Sequence, residues 1–216
     1  MRMAELSERS GVPTATVKYY LREGLLRPGR RISATRAVYD EEHLRRLRLV
    51  RALIQVGRMP VATAREVLVA VDDEKLDHHS RIGAAVWALP DDSPAAPPED
   101  SAREAAARLA DELLARLGWT FGLASRDDSP AYRMLVGALA GMERSGYPCT
   151  LADLLPYGRA AGELGAVDLD MVERYETGSG QVEAAVALTV LYEPVLLGLR
   201  RLAEAEESNR RFGKAG

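Results

Sequence analysis

The chain has 216 residues with a formal net charge of −3, and its single cysteine, Cys149, excludes an internal disulfide. The length suits one small domain plus a second of ordinary size. No secretory leader and no uncharged apolar run of about 18 residues is read from the pattern, so a soluble, cytoplasmic protein with no membrane partner is expected. The charge is split unevenly: residues 1–71 carry 14 Lys and Arg against 7 Asp and Glu, whereas the other 145 carry 15 against 25. A head of net +7 on a body of net −10 attracts a polyanion to one end of the molecule.

The first predicted element is a short helix within the stretch Met3–Val12, where Met3, Leu6 and Val12 are apolar and Gly11 is the stop. Pro13 suits the first turn of the next, where Val17, Tyr20 and Leu21 recur at helical spacing and Gly24 gives a stop. Two short helices joined by a tight glycine-containing turn form a helix-turn-helix, whose second helix fits a DNA major groove. Arg27 to Tyr39 reads as a wing, with its turn at Pro28-Gly29 and Arg30, Arg31 and Arg36 close by. Such arginines can meet phosphates or a minor groove. Asp40 is expected to cap a helix running to about Val56, with Glu41 and Glu42 suiting its positive end and His43 forming no capping box. Arg45, Arg46, Arg48 and Arg51 on that helix are read either as a solvated face or as part of the DNA surface. Gly57 ends it, and Pro60 opens another helix with Val61, Ala64, Val67, Leu68 and Val71 on one face.

These residues resemble the MerR family of bacterial transcription regulators. The resemblance rests on Glu5-Leu6, Ser10-Gly11-Val12, Val17-Lys18-Tyr19-Tyr20, Glu23-Gly24-Leu25-Leu26, Val38 to Glu42 and the arginine-rich helix from Leu44 to Arg51, in that order. It covers about a third of the chain. It implies a winged helix-turn-helix that binds a palindromic promoter as a dimer, with RNA polymerase as a partner at that promoter and many members distorting an overlong spacer. It also implies DNA contacts by Thr14, Ala15, Thr16 and Lys18 on the exposed part of the second helix, and by the Tyr19–Tyr20 pair. Spacing with Val17 favours Tyr20 as the more buried of the two. Ala15 stands where the family often has Arg, which removes a possible guanine reader. Lys18 for the usual Arg keeps the charge without bidentate geometry.

Beyond residue 71 the resemblance implies a long dimerisation helix. Asp73 to Leu89 is expected to be helical, but Pro90 cuts it short and 91–100 is a Pro/Ala/Asp/Ser linker. The seam between subunits therefore falls either in that segment or on 101–117, where Ala106, Leu109, Ala110, Leu113, Leu114 and Leu117 form an apolar stripe. From Ser129 onward the pattern stays helical: a helix capped at Ser129, another from Thr150 to near Gly158 or Gly165, a third capped by Asp168, and a last, longest helix from about Ser179, kinked at Pro194. That last helix is expected at the centre of a C-terminal bundle. The whole is a mostly α chain: a winged helix-turn-helix at 1–71, a connecting helix and linker at 72–100, and an all-α effector and dimerisation domain at 101–216.

Metal and redox sensing have no ligand set, because one cysteine and the divergent neighbours His78 and His79 do not converge, and no cofactor is expected. Nothing in the chain carries a phosphate loop or a catalytic triad, so no enzymatic activity is expected. A small organic effector remains, with Trp119, Tyr132, Tyr147, Tyr157, Tyr175, Tyr192 and Glu193 as candidates, although aromatics at helical spacing more often build core. Two other classes stay open: a ligand-sequestering resistance protein with a DNA-binding head, and a ligand-independent repressor.

Overall fold

Helix α1 spans Met3–Ser10 and α2 spans Thr14–Arg22 in the computed structural model, which describes residues 1–33, 36–90 and 101–213. Gly11 joins them with φ +66°, in the left-handed region that glycine adopts without cost. An added Cβ there would also meet Arg51 Nη1 at 2.8 Å. The next segment forms an antiparallel hairpin, β1 Arg30–Ser33 and β2 Arg36–Val38, with Arg30 opposite Val38, Arg31 opposite Ala37 and Ser33 opposite Arg36. The register slips between Arg31 and Ser33, so Ile32 is the extra residue of a bulge. The N–H of Tyr39 donates to the carbonyl of Met1 at 2.9 Å, tying the base of the hairpin to the start of the chain.

Helix α3, Glu41–Arg51, begins with a capping box. Asp40 accepts from the His43 N–H at 3.1 Å, while the Asp40 N–H lies 3.3 Å from His43 Nδ1. The sequence pattern had denied His43 this role. A neutral imidazole nitrogen can accept as a Glu or Gln oxygen does, which corrects it.

Helix α3 continues into a π-helical turn, Ala52–Val56, whose wider winding is visible in the Gly57 N–H bonding to the Ala52 carbonyl five residues back. Helix α4, Val61–Val71, follows Pro60, and α5, His78–Trp87, is capped at Asp77 by bonds from the Ser80 N–H and hydroxyl. The expected helix from Asp73 to Leu89 is thus only ten residues long.

Helices α6 Ser101–Leu117, α7 Thr120–Ala124, α8 Pro130–Arg144 and α9 Leu151–Glu173 follow. Ser129 caps α8 by accepting from the Tyr132 N–H, as its sequence suggests. Ala106 and Ala110 of α6 pack against Val136, Leu139 and Ala140 of α8, so the apolar stripe of α6 is already occupied within the chain. Thr150 and Asp153 cap α9 reciprocally, but α9 does not stop at Gly158 or Gly165, and Asp168 lies inside it. Gly158 is a point of close approach: an added Cβ would overlap Leu117 Cδ1. A Cβ at Gly162 would make only ordinary contact with Trp119, 3.5 Å from Cζ2. Pro156 sits early in α9, where its missing N–H removes the bond to the carbonyl of exposed Ala152.

Helix α10, Gly178–Phe212, is 35 residues long, capped by Thr177 and unbroken through Pro194. By length and composition it could cross a membrane, which corrects the expectation that no such run exists. Its first half instead packs against α3, the π turn and α4. Val182 and Val186 are fully buried there, and Gly57 admits Val190, whose Cγ1 would stand 2.8 Å from a Cβ at that glycine. Glu183 from α10 faces two cations of α3, with Arg45 Nε and Arg46 Nε each 3.6 Å from a carboxylate oxygen. Arg46 also binds Asp72 at the end of α4.

The chain accordingly forms two compact units, Met1–Val86 with Val172–Gly216, and Trp87–Met171. The sequence pattern sets boundaries at 71 and 100 and places the last helix in the C-terminal bundle. The contacts group that helix with the N-terminal head instead. The expected linker at 91–100 lies outside the described residues.

Candidate nucleic-acid interface

Two buried positions orient α2. Val17 is fully enclosed and Tyr20 is 4% exposed, so both face the core with Leu6, Val12, Leu44 and Leu47. Burial raises the Tyr20 phenol above its ordinary range. Helical geometry then turns Ala15, Lys18, Tyr19 and Arg22 outward at i, i+3, i+4 and i+7, and all four are exposed. Thr14 and Thr16 are half-buried at the margins of that stripe. Tyr19 carries the Arg22 guanidinium 6.0 Å from its ring centroid, which holds both side chains over the same surface.

Arg22 was not among the residues singled out from the sequence. Counting seven residues on from Ala15 would have found it. Of the tyrosine pair, Tyr19 presents its ring to solvent while Tyr20 seats the helix, the assignment that the spacing with Val17 favoured.

The hairpin adds a second basic surface. Arg30, Arg31 and Arg36 are all exposed. Strand alternation and the observed register put Arg30 and Arg36 on one face and Arg31 on the other. The bulge leaves Ile32 61% exposed beside them, an apolar side chain of the kind that can wedge into a groove.

Arg48 of α3 is exposed, but the other three arginines of that helix serve another purpose. Arg46 is buried between Asp72 and Glu183, Arg45 lies between Glu42 and Glu183, and Arg51 donates to the Ser10 carbonyl at 3.2 Å and to Gln55. Arg9 grips Glu41 with two bonds of 2.6 and 3.0 Å, and Arg65 grips Glu23. These cations lock α1, α2, α3, α4 and α10 together. The outward-facing positive charge is concentrated in α2 and the wing, where it faces a phosphate backbone most economically.

The effector candidates do not gather in this region. Tyr132 is half-buried and donates to Asp111 at 2.8 Å; burial first, and that bond second, push its phenol up to about 12. Trp119, Tyr147, Tyr157, Tyr175, Tyr192 and Glu193 are exposed to differing degrees. A cavity of about 120 Å³ lies instead beneath α10, lined among others by Leu26, His43, Arg46, Asp72 and Glu183, and none of the aromatic candidates lines it.

The comparisons with known proteins agree with this geometry. Residues 1–70 match the family model described as MerR HTH family regulatory protein. No curated protein matches the chain. The crystal structure of the "putative transcriptional regulator SCO5550" from Streptomyces coelicolor A3(2) is 52% identical, covers 100% of both chains and superposes with a TM-score of 0.85. An exposed basic helix and wing, the matching family model and a whole-chain likeness to a regulator identify this chain as a member of the MerR family, a DNA-binding transcriptional regulator.

Proposed function

We propose that the protein binds an inverted-repeat operator as a homodimer in the cytoplasm, acts on RNA polymerase at that promoter, and changes its DNA affinity when a small organic molecule binds its helical body. The observation that carries the DNA part is the shared outward face of Ala15, Lys18, Tyr19 and Arg22 beside the wing arginines. A helix-turn-helix reads only a few base pairs through one recognition helix, so two copies on a two-fold site supply the affinity that one lacks. Ala15 in place of a possible guanine reader points to an operator that relies on Thr16, Lys18 and Arg22 for base contacts.

The ligand part rests on Trp119, Tyr132, Tyr147 and Tyr157 in one unit and on Tyr175, Tyr192 and Glu193 in the other, aromatic and acidic groups suited to flat or cationic compounds. A specific observation favours a second reading, a ligand-independent repressor. The cavity under α10 is far smaller than the roughly 300 Å³ at which drug-sized sites begin, and it is lined largely by charges that already pair with one another.

Selection from a random DNA pool tests the first part. Recovery of an inverted repeat bound by two chains is expected, and recovery of an asymmetric single site would refute it. Operator affinity measured across a panel of aromatic cations separates the switch from the repressor, since an unchanged affinity throughout supports the repressor.

A further inference from the structure

The wing stands on two legs, and they are held differently. The second leg ends at buried Tyr39. Its N–H donates to the Met1 carbonyl at 2.9 Å, its carbonyl accepts from the Met1 ammonium at 2.6 Å, and its ring meets His43 edge-on with centroids 5.2 Å apart. The first leg, residues 27–29, leaves the core at buried Leu26. It is stiff, because Pro28 fixes its own φ and disfavours helical backbone at Arg27. A Cβ at Gly29 would stand 2.7 Å from the Val38 carbonyl, so the two legs touch at their base.

Among the described residues the carboxylate that meets the first leg is Asp72, whose Oδ2 lies 3.5 Å from Arg27 Nη2. Asp72 is the C-cap of α4, and its Oδ1 accepts from Arg46 Nη2. Arg46 is buried, and its Nε faces Glu183 Oε1 of α10 at 3.6 Å. One carboxylate thus joins the wing base to a buried arginine that α10 also holds.

We propose that Asp72 is a positioning residue for DNA binding: by holding Arg27 it fixes the angle of the wing and keeps the wing arginines within reach of phosphates. The inference rests on the reading of the wing as a DNA surface.

Three features give an exposed ion pair this weight. A surface pair between two free side chains is weak, since both give up rotamer freedom to form it. Asp72 is not free. Arg46 fixes one of its oxygens, and Arg81 donates from Nε and Nη2 to the Val71 carbonyl at 3.0 and 2.9 Å, which fixes the backbone beside it. The contact therefore has only Arg27 to order. The second feature is the short reach of the leg. Strand β1 starts at Arg30, about 10 Å of extended chain beyond Arg27, so an anchor at Arg27 restrains the strand directly. The third is the narrow range of the bond being positioned. An arginine–phosphate hydrogen bond spans about 2.7–2.9 Å, and a wing that swings by a few Å loses it.

The test uses the full chain and a labelled duplex of the sequence that it selects from a random pool. Alanine replaces Arg30, Arg31 or Arg36 in the parent, in Asp72→Asn and in Arg27→Ala, and affinity is measured over a range of salt. Arg27→Ala breaks the pair from its exposed end and leaves Arg46 with both of its carboxylates, so it spares the buried cluster. Each wing substitution that weakens binding in the parent should cost less in both backgrounds, by at least about threefold, a coupling of the size seen between interacting residues. Lys18→Ala, on α2, should cost the same in all three. Asp72→Asn also removes a negative charge, which changes affinity by one factor whatever the wing carries and so cancels from these ratios. Amide exchange in β1 and β2 of the free protein should quicken in both backgrounds and stay unchanged in α2. Equal wing losses in the parent and in Arg27→Ala, or in the parent and a folded Asp72→Asn, would overturn the role of Asp72 while the wing reading stands. Wing substitutions without effect in the parent would overturn both. A Lys18→Ala loss that shrinks alongside the wing losses would show a general loosening of the head and overturn the inference as well.

Discussion

The ion cluster that docks α10 on the head makes an uneven set of energetic demands. Glu183 is largely buried, and its two cations approach only to 3.6 Å, so Glu183 Oε2 and Arg46 Nη1 are buried without a hydrogen bond. Burial is the largest influence on Glu183 and raises its carboxyl above the usual range, exceeding the opposing pull of Arg46 and then Arg45. A carboxylate whose folded value is raised stabilises the fold most when protonated: that contribution is fully present below the unfolded value and is lost as pH rises through the folded one. Once charged, Glu183 therefore contributes little net stability, and Glu183→Gln should change stability by no more than about 1 kcal/mol.

Arg46 is the opposite case. It stands between two carboxylates, and Arg46→Met leaves Asp72 and Glu183 facing one another with one cation fewer, at a cost of about 2–4 kcal/mol. In the double variant the orphaned Glu183 charge is gone as well, so the combined cost should fall below that of Arg46→Met alone by about 1–2 kcal/mol. Urea denaturation at pH 7, together with hydrogen exchange of the α3 and α10 amides, measures all three. Repeating it down to pH 4.5 should show the parent's α10 docking strengthening towards acid relative to Glu183→Gln. A Glu183→Gln cost equal to that of Arg46→Met, or strict additivity in the double variant, would refute the claim that desolvation dominates at this cluster.

Alanine at Arg30, Arg31 or Arg36 should weaken binding to all DNA sequences and flatten the salt dependence by about one unit for each phosphate no longer neutralised. Unchanged slopes in all three variants would remove the wing from the interface. Thr16→Ala and Lys18→Ala should instead alter preference at one or two operator positions by about 1–3 kcal/mol, read by competition among single-base operator variants. Gly57→Ala places a methyl 2.8 Å from both the Leu53 carbonyl and Val190 Cγ1, and should cost about 1–3 kcal/mol, with faster amide exchange in α10 than in α8. Uniform exchange in both helices would show that Gly57 does not admit α10.

The N-terminal elements were legible because their signals are local. Gly11 and Gly24 stop helices by adopting positive φ, Pro13 and Pro60 stand immediately before helices, and Val17 with Tyr20 sets which way α2 faces. Sequence reasoning failed where a residue type had two uses. Gly158 and Gly165 look like helix stops, yet α9 runs through both, and Gly158 is a point of close approach set by Leu117 some forty residues earlier. Arg45 and Arg46 look like DNA ligands on an exposed face, yet the carboxylate that claims them is Glu183, more than 130 residues away. The place of α10 was likewise obscured, because an apolar run on more than one face reads as the core helix of a bundle, whereas its first half packs on the head.

The return of α10 to the head also sets an order of events during synthesis. The surface formed by α3, the π turn and α4 is complete in sequence by residue 71, but the helix that covers it begins at Gly178. At translation rates of about 5–20 residues per second, the nascent head waits for roughly 5–20 s with that apolar surface bare. During that interval it is a substrate for chaperones and a potential site of mispairing between neighbouring nascent chains. A message truncated before residue 178 would release a DNA-binding head permanently deprived of its covering helix, baring the face of α3 and the π turn on which α10 packs, along with the α3 cations that Glu183 would otherwise face.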